Sequence, residues 1–449
     1  MNKLAVVLVL VSACTKKVDQ CTSNVDCTDP AFPFCDVGGS FPASGGDKDV
    51  CTITPTDCPV DVCGCTAGSA TCGSDGMLTV CNADGMSVTT TMCSAGCELP
   101  AATCRTIVAS NGLGPSLASA ASAPAITIPS GAMINTDTGS VLDVNLQPLT
   151  FATTLVAQAS GPSIRIFAGT TVTVGDVSIS GSNAIAFVAD GPVTVGNLDA
   201  AGSGATAGPG AVTSGDCAGG AEVASGSDAI LAFGAGGGGN ATAGASGGGR
   251  QTPGAPGGAA VAGFPSLEGG CAGGGTIFPA AGLDPDFGGG GGGAIQIVSN
   301  THVSITGIIN LGGGGGQTNS GGGAGGLLIV EAPTVAMTGQ GGLAANGGGG
   351  GGACAGADAT ADNAPATGGG SDSACAAPAI VLPGGSGGTT ISPPQTGKIE
   401  TSPVIIHEMY GGGGGAVGRA RIATLDATFA SAGSTLLSAV ITTDTVVTQ

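Results

Sequence analysis

Tryptophan is absent, there is one Tyr, and aromatic residues make up 3% of 449 residues. Flat rings on which bases or sugars stack are therefore nearly missing. Lys and Arg number 10 against 30 Asp and Glu, a formal charge of −20, so a phosphate backbone has little to bind and nucleic acid is excluded as a partner. Charged residues are 9% of the chain, about a third of the usual share. With two His, and with no G-x-S-x-G nucleophile elbow to support a hydrolase, metalloprotease and serine-hydrolase chemistry has little to start from. His407-Glu408 begins like HExxH, but the fifth residue is Gly411. What is abundant is glycine, 89 residues, none of it on a collagen period. At 42% hydrophobic, the chain is too apolar for a disordered low-complexity protein.

The N-terminus carries an address. Lys3 is followed by an apolar run from Leu4 to Val11, too short to cross a bilayer of roughly 30 Å. It ends in Val11-Ser12-Ala13-Cys14, which resembles a bacterial lipobox. That resemblance implies a signal peptide over 1–13, cleavage before Cys14, and acyl chains on Cys14 that anchor the protein to a membrane. Thr15, rather than Asp, at the next position implies the outer membrane. Losing Lys3 takes the mature charge to −21, which favours solubility and repels anionic partners.

Cysteine usage agrees with export. Of 17 Cys, removal of Cys14 leaves 16, an even number suited to disulfides. Twelve fall between Cys21 and Cys104, and four lie apart at Cys217, Cys271, Cys354 and Cys375. Each group can close on itself. Cys217 with Cys271 and Cys354 with Cys375 are the simplest pairs. After a tether over 14–20, residues 21–104 form a unit too small to bury much apolar area, so disulfides stand in for a core. Zinc is the rival use of Cys93-x₃-Cys97, but this stretch has no His and too many Cys. Residues 105–122, rich in Ala, Ser and Gly, read as a linker.

From residue 123 to 449 the pattern is short β-branched runs with period two, as in Ile164-Arg165-Ile166-Phe167 and Val172-Thr173-Val174. No amphipathic helix stands out. Ile185-Ala186-Phe187 is followed eight residues on by Val193-Thr194-Val195, Ile295 likewise by Val303, and Leu327 by Val335. The last two copies are 32 residues apart. A strand pair repeating at this period predicts a solenoid in which coils stack to bury one another. The fold class expected is all-β: a right-handed parallel β-solenoid behind a small disulfide-rich domain. At one coil per repeat it has roughly ten coils and a length near 50 Å.

In its lipobox, its cysteine-rich head and segments such as Ala184-Ile185-Ala186-Phe187-Val188-Ala189 and Gly293-Ala294-Ile295-Gln296-Ile297, the chain resembles glycine-rich β-helix surface lipoproteins of myxobacteria and related bacteria. The resemblance implies architecture and a surface location. It carries over no functional residues.

Glycine runs occur at 288–293, 312–316, 321–326, 347–352 and 411–415, the third with one Ala. They fit either flexible loops or extended polyglycine-II strands stacked side by side. A 32-residue repeat would bring successive runs together, which favours stacking.

Catalytic material is sparse. A lyase acting on an acidic sugar needs a cation and a base, yet 147 residues separate Arg250 from Lys398 with no Lys or Arg between. A glycoside hydrolase needs two carboxylates at a set spacing. Asp284 and Asp286 are the best pair, and their expected use is a solvated turn or one side of a weak Ca²⁺ site. The expected function is a non-enzymatic structural or adhesive surface lipoprotein, with a polysaccharide or cell surface as partner. The alternative is a carbohydrate-active β-helix enzyme, polysaccharide lyase or hydrolase.

Overall fold

The computed structural model describes residues 34–36, 50–52, 68–73, 76–83, 88–99, 101–221, 233–275, 286–371, 381–402, 409–431 and 436–449. Cys14, Asp284, Cys375, His407 and Glu408 lie outside the described residues. The chain divides into two compact units, Met1–Arg105 and Thr106–Gln449.

In the first unit, Ala70–Cys72, Met77–Cys81 and Val88–Met92 form an antiparallel three-stranded sheet. Cys97–Glu98 pairs with Thr103–Cys104. Disulfides join Cys72 to Cys97 and Cys93 to Cys104, so the two Cys of the C-x₃-C spacing have separate covalent partners. Buried Leu78, Cys81, Cys93 and Ala95 are the small core these bonds supplement.

The second unit is all-β, in parallel and mixed sheets of eight, seven and six strands. The chain visits them in a fixed rotation. Ile164–Gly169 lies in the seven-stranded sheet, Val172–Val174 in the six-stranded sheet and Val177–Ser180 in the eight-stranded sheet. Ala184–Ala189, Val193–Val195 and Leu198–Asp199 then repeat the sequence, each pairing parallel with its predecessor. Rounds beginning at Ala294, Leu327 and Arg419 follow, so five complete rounds are present among the described residues. The roughly ten coils expected from a uniform repeat require every residue to belong to a coil. The described residues between Asp199 and Ala294 and between Ala344 and Arg419 instead lie outside the rotation. The repeat is also not a uniform 32 residues. Val303 pairs with Val335, but Ile295 pairs with Leu328 rather than Leu327.

The central strands of the seven-stranded sheet are buried on both faces: Ala184–Ala189 and Ala294–Ser299 are buried at every position, whereas the edge strands Thr153–Val156 and Val440–Thr445 are largely exposed. Near-continuous apolar strands are what a parallel sheet covered on both sides requires. Ile185, Phe187, Ile295 and Ile297 join Val172, Val193, Leu198 and Ile309 of the other sheets in one core. The alternate residues Ala186, Val188, Val298 and Ile329 form a second core with Ile107, Leu113 and Leu117. Each such Val, Leu, Ile or Phe side chain contributes about 1.5–3 kcal/mol by leaving water.

Residues 105–122 are therefore not a linker beyond Arg105. Thr106 and Val108 pair with Gln449 and Val447. Helix Gly114–Ala120, started by Pro115 in its first turn, buries Leu117 and Ala120. Its seven residues are too short to show a 3.6 period, so small residues hid it.

The glycine runs are ordered. In 321–326, Gly321 and Ala324 donate to Gly274 and Cys271, Gly322 and Gly325 to Gly413 and Ala416, and Gly323 and Gly326 to Gly314 and Leu311, all at 2.7–2.9 Å. Three directions thus alternate with a period of three residues, and each partner moves by three as well. Run 347–352 repeats the scheme toward Gly388 and Gly385, Gly323 and Ser320, and Ala357 and Cys354. The runs sit where the chain passes from the eight-stranded to the seven-stranded sheet, and 321–326 and 347–352 are buried throughout. Cys217 and Cys271, the simplest pair expected from sequence, are bonded within this array. Cys354 is also disulfide-bonded.

The one Tyr lies in the same region. Tyr410 is fully buried, stacks on Phe233 at 5.9 Å and donates its hydroxyl to Glu400 at 3.0 Å. Burial, then the Glu400 contact, pushes the phenol up to about 12. The raised value means the folded state holds the proton more tightly than the unfolded state. Its stabilising contribution is complete below the ordinary tyrosine value of about 10 and is lost as pH rises toward 12. With no Trp and no other Tyr, ultraviolet titration of the native protein reads this group alone. The midpoint is expected near 12 in the native protein and near 10 in denaturant. Equal midpoints would contradict the buried Tyr410–Glu400 contact.

Candidate functional site

A groove of about 460 Å³ runs along the outer face of the eight-stranded sheet. It is lined by the strands at Ala132, Val177, Leu198 and Ile308, and its polar residues are Asp176, Ser178, Asn197, Asp199 and Asn310. Parallel register sets the polar column: Ser178 lies opposite Asp199, and Asp199 opposite Asn310. Successive rungs stand about 4.8 Å apart.

The neighbouring turns form a second ladder. The Asp176 amide donates to Ser130 Oγ at 3.0 Å. Asn197 donates from its backbone N and from Nδ2 to Asp176 Oδ1, at 2.8 and 2.9 Å. The Ile308 amide donates to Asn197 Oδ1 at 2.7 Å. In the column, Asn310 Nδ2 donates to Asp199 Oδ1 at 3.0 Å. Each carboxylate thus holds an amide of the next rung through one oxygen. Ala361 overhangs the groove from a segment fastened by Asp358, whose Oδ1 accepts from the Gly204 and Gly315 amides at 2.7 Å each. The groove is a rigid, uncationic surface that can accept hydrogen bonds from a neutral or cationic ligand.

Sequence reading did not find these residues, although a signal was present. Ser130, Asp176 and Asn197 each stand two residues after an Ile-Thr-Ile or Val-Thr-Val strand. The carboxylate favoured from sequence, Asp286, lies elsewhere, and burial raises its pKa above the ordinary aspartate value. Among the described residues no group of three or more His, Cys, Asp or Glu could hold a metal ion. His302 is an exposed strand-end residue opposite Thr334. No helix among the described residues is long and apolar enough to cross a membrane.

A second polar cluster is buried on the outer face of the seven-stranded sheet. Glu331 Oε2 accepts from Gln296 Nε2 and from the Ser110 amide, both at 2.9 Å. Its Oε1 pairs with Arg421 at 3.2 Å. Asn111 Nδ2 donates to Gln296 Oε1 at 2.8 Å. The cluster pins residues 110–111 to the sheet, a structural use of charge.

Comparison of the chain with family models, with curated proteins and with solved structures finds no match.

Proposed function

We propose that this chain is a non-enzymatic lipoprotein of the outer-membrane surface, structural or adhesive in role, whose second unit is a right-handed parallel β-solenoid buttressed by polyglycine-II helices. The observation that carries the reading is the glycine array. The three-residue alternation of its hydrogen bonds is the period of a polyglycine-II helix. Much of the unit is thereby spent on stiff backbone without reactive side chains, which suits a spacer or scaffold rather than a catalyst. The groove, largely apolar with Asp176, Ser178, Asp199 and Asn310 along it, offers a face to a polysaccharide or cell surface.

The lipobox resemblance supports anchoring through Cys14. The native protein is expected in the detergent phase on phase partition, and Cys14→Ser in the aqueous phase. Unchanged partition of the variant would refute the anchor.

One observation favours the carbohydrate-active enzyme: Asp176 and Asp199 share a groove. Against it, each holds an amide through Oδ1. Incubating the full chain with soluble polysaccharides is expected to release no reducing or unsaturated ends. Release that disappears in Asp199→Asn would establish the enzyme instead.

A further inference from the structure

Two of the Asn residues stand directly before Gly, in Asn111-Gly112 and Asn346-Gly347. An Asn in this position can close on the following backbone nitrogen, because that residue has no Cβ to hinder the approach. The two pairs share this local chemistry and have opposite surroundings.

Asn346 is fully buried and held at every group such a closure would use. Its Nδ2 donates to the Asp362 carbonyl at 2.7 Å and the Ala364 carbonyl at 3.3 Å, and its Oδ1 accepts from the Ser438 hydroxyl. The Gly347 amide donates to Gly388 at 2.9 Å.

Asn111 lies in a turn at the surface. The Leu113 amide donates to the Ser110 carbonyl at 3.1 Å, and Asn111 and Gly112 both have positive φ, +54° and +72°. This is a type I′ turn. Gly112 is exposed, nothing lies within 4 Å of where its Cβ would stand, and its amide donates to nothing among the described residues. Asn111 is half-buried and held once, by Nδ2 on Gln296 Oε1 at 2.8 Å. Both residues border a cavity of about 370 Å³ between this turn, residues 156–160 and Pro265-Ser266.

We propose that Asn111 is a modification site, whose side-chain amide is lost spontaneously with the Gly112 amide as nucleophile and water as co-reactant. The Gly112 nitrogen attacks Asn111 Cγ. The N–Cγ bond forms, the Cγ–Nδ2 bond breaks, and ammonia leaves with the proton given up by the Gly112 amide. Water then opens the cyclic imide at either carbonyl. The product is Asp, or isoaspartate in which the main chain runs through Cγ. Adjoining groups of one chain react in this way without an enzyme.

The product disturbs the fold locally. A carboxylate at 111 cannot donate to Gln296 Oε1. It also sets a second negative charge beside the network in which Gln296 donates to the 2%-exposed Glu331 at 2.9 Å. Isoaspartate lengthens the main chain inside the turn, which breaks the Leu113–Ser110 bond. The turn leads into helix Gly114–Ala120, and Leu113 and Leu117 share the second core. The age of the molecule is thereby recorded where residues 110–120 are fastened to the sheet.

The test is peptide mapping of the full chain by mass spectrometry, with isoaspartate detection, during weeks in warm, mildly alkaline buffer. Native and denatured samples are compared. In denaturant both sites should convert at similar rates. In the native protein Asn111 should convert at least about tenfold faster than Asn346, which reacts only when its surroundings open. Asn111→Gln should remain an amide at 111, because closure to the larger ring is slow. Asn111→Asp, which imitates one product, should melt at least about 2 °C below wild type and exchange its Leu113 amide faster. The proposal is overturned if native Asn111 stays an amide while denatured Asn111 converts, or if the two native sites convert at the same rate. Acid formed in Asn111→Gln as fast as in wild type would exclude the imide route. Wild-type melting and exchange in Asn111→Asp would overturn the structural consequence.

Discussion

Alanine at Gly290 and Gly291 together is expected to lower the melting temperature by roughly 5–10 °C. A Cβ at Gly291 would fall on the Gly270 carbonyl oxygen, and one at Gly290 on the Thr206 carbonyl. Both obstacles are backbone, so no side chain can rotate away. Overpacking of this kind costs about 1–3 kcal/mol at each site. The opposing effect is smaller: Ala restricts the unfolded chain and stabilises by about 0.4–1 kcal/mol where space allows. Gly114, at the start of the short helix, has nothing within 4 Å of its Cβ position and is the matched control. There the same substitution should leave stability level or raise it. Gly348→Ala and Gly350→Ala, directed at the Gly314 and Gly412 carbonyls, extend the test to a second run. Calorimetry on the full chain reads all of these. Neutral or stabilising outcomes at 290, 291, 348 and 350 would show that the runs are not packed on one another.

Glu331→Ala is expected to cost about 3–5 kcal/mol, the usual loss when one member of a buried charge network is removed. Glu331 is 2% exposed, and its two oxygens serve Gln296, Ser110 and Arg421. Without it, the fully buried Gln296 loses one acceptor and the Ser110 amide its partner, while Arg421 keeps Asp444 at 3.3 Å. Glu331→Gln preserves shape and some bonding, so its loss should be intermediate. Hydrogen exchange should quicken at Ser110 in the Ala variant, with the Ile107 amide still held by Asn300 at 3.1 Å. Denaturant unfolding within about 0.5 kcal/mol of wild type would mean that the network contributes nothing to stability.

Strand identity was legible wherever a sheet has one exposed face. Val172-Thr173-Val174 is buried, exposed, buried, so alternation marks both the strand and its orientation. Phase was not legible in the strand buried on both faces. Leu327 and Leu328 are equally apolar and equally enclosed, so pattern alone aligned Ile295 with the wrong one. Residues 106–120 were missed for a related reason. Ile107, Leu113 and Leu117 are core residues spaced among Ala, Ser and Gly too irregularly to declare a period. The glycine array was half legible: stacking follows from repetition, but the partners of 321–326 lie at 271–274, 311–314 and 413–416, separations that no local pattern encodes. The groove escaped notice because its carboxylates belong to different rounds and meet only through register.

A β-sheet is strong along its strands and across its hydrogen bonds but weak to sliding against the layer above. The glycine runs lack that weak direction. Run 321–326 donates to three neighbours at once, and 347–352 donates back to it and to two further segments. Load entering one segment is therefore shared sideways and vertically instead of travelling down a single ladder. The array acts as a cross-braced block, and shear that would peel a lone sheet must break bonds in several planes together.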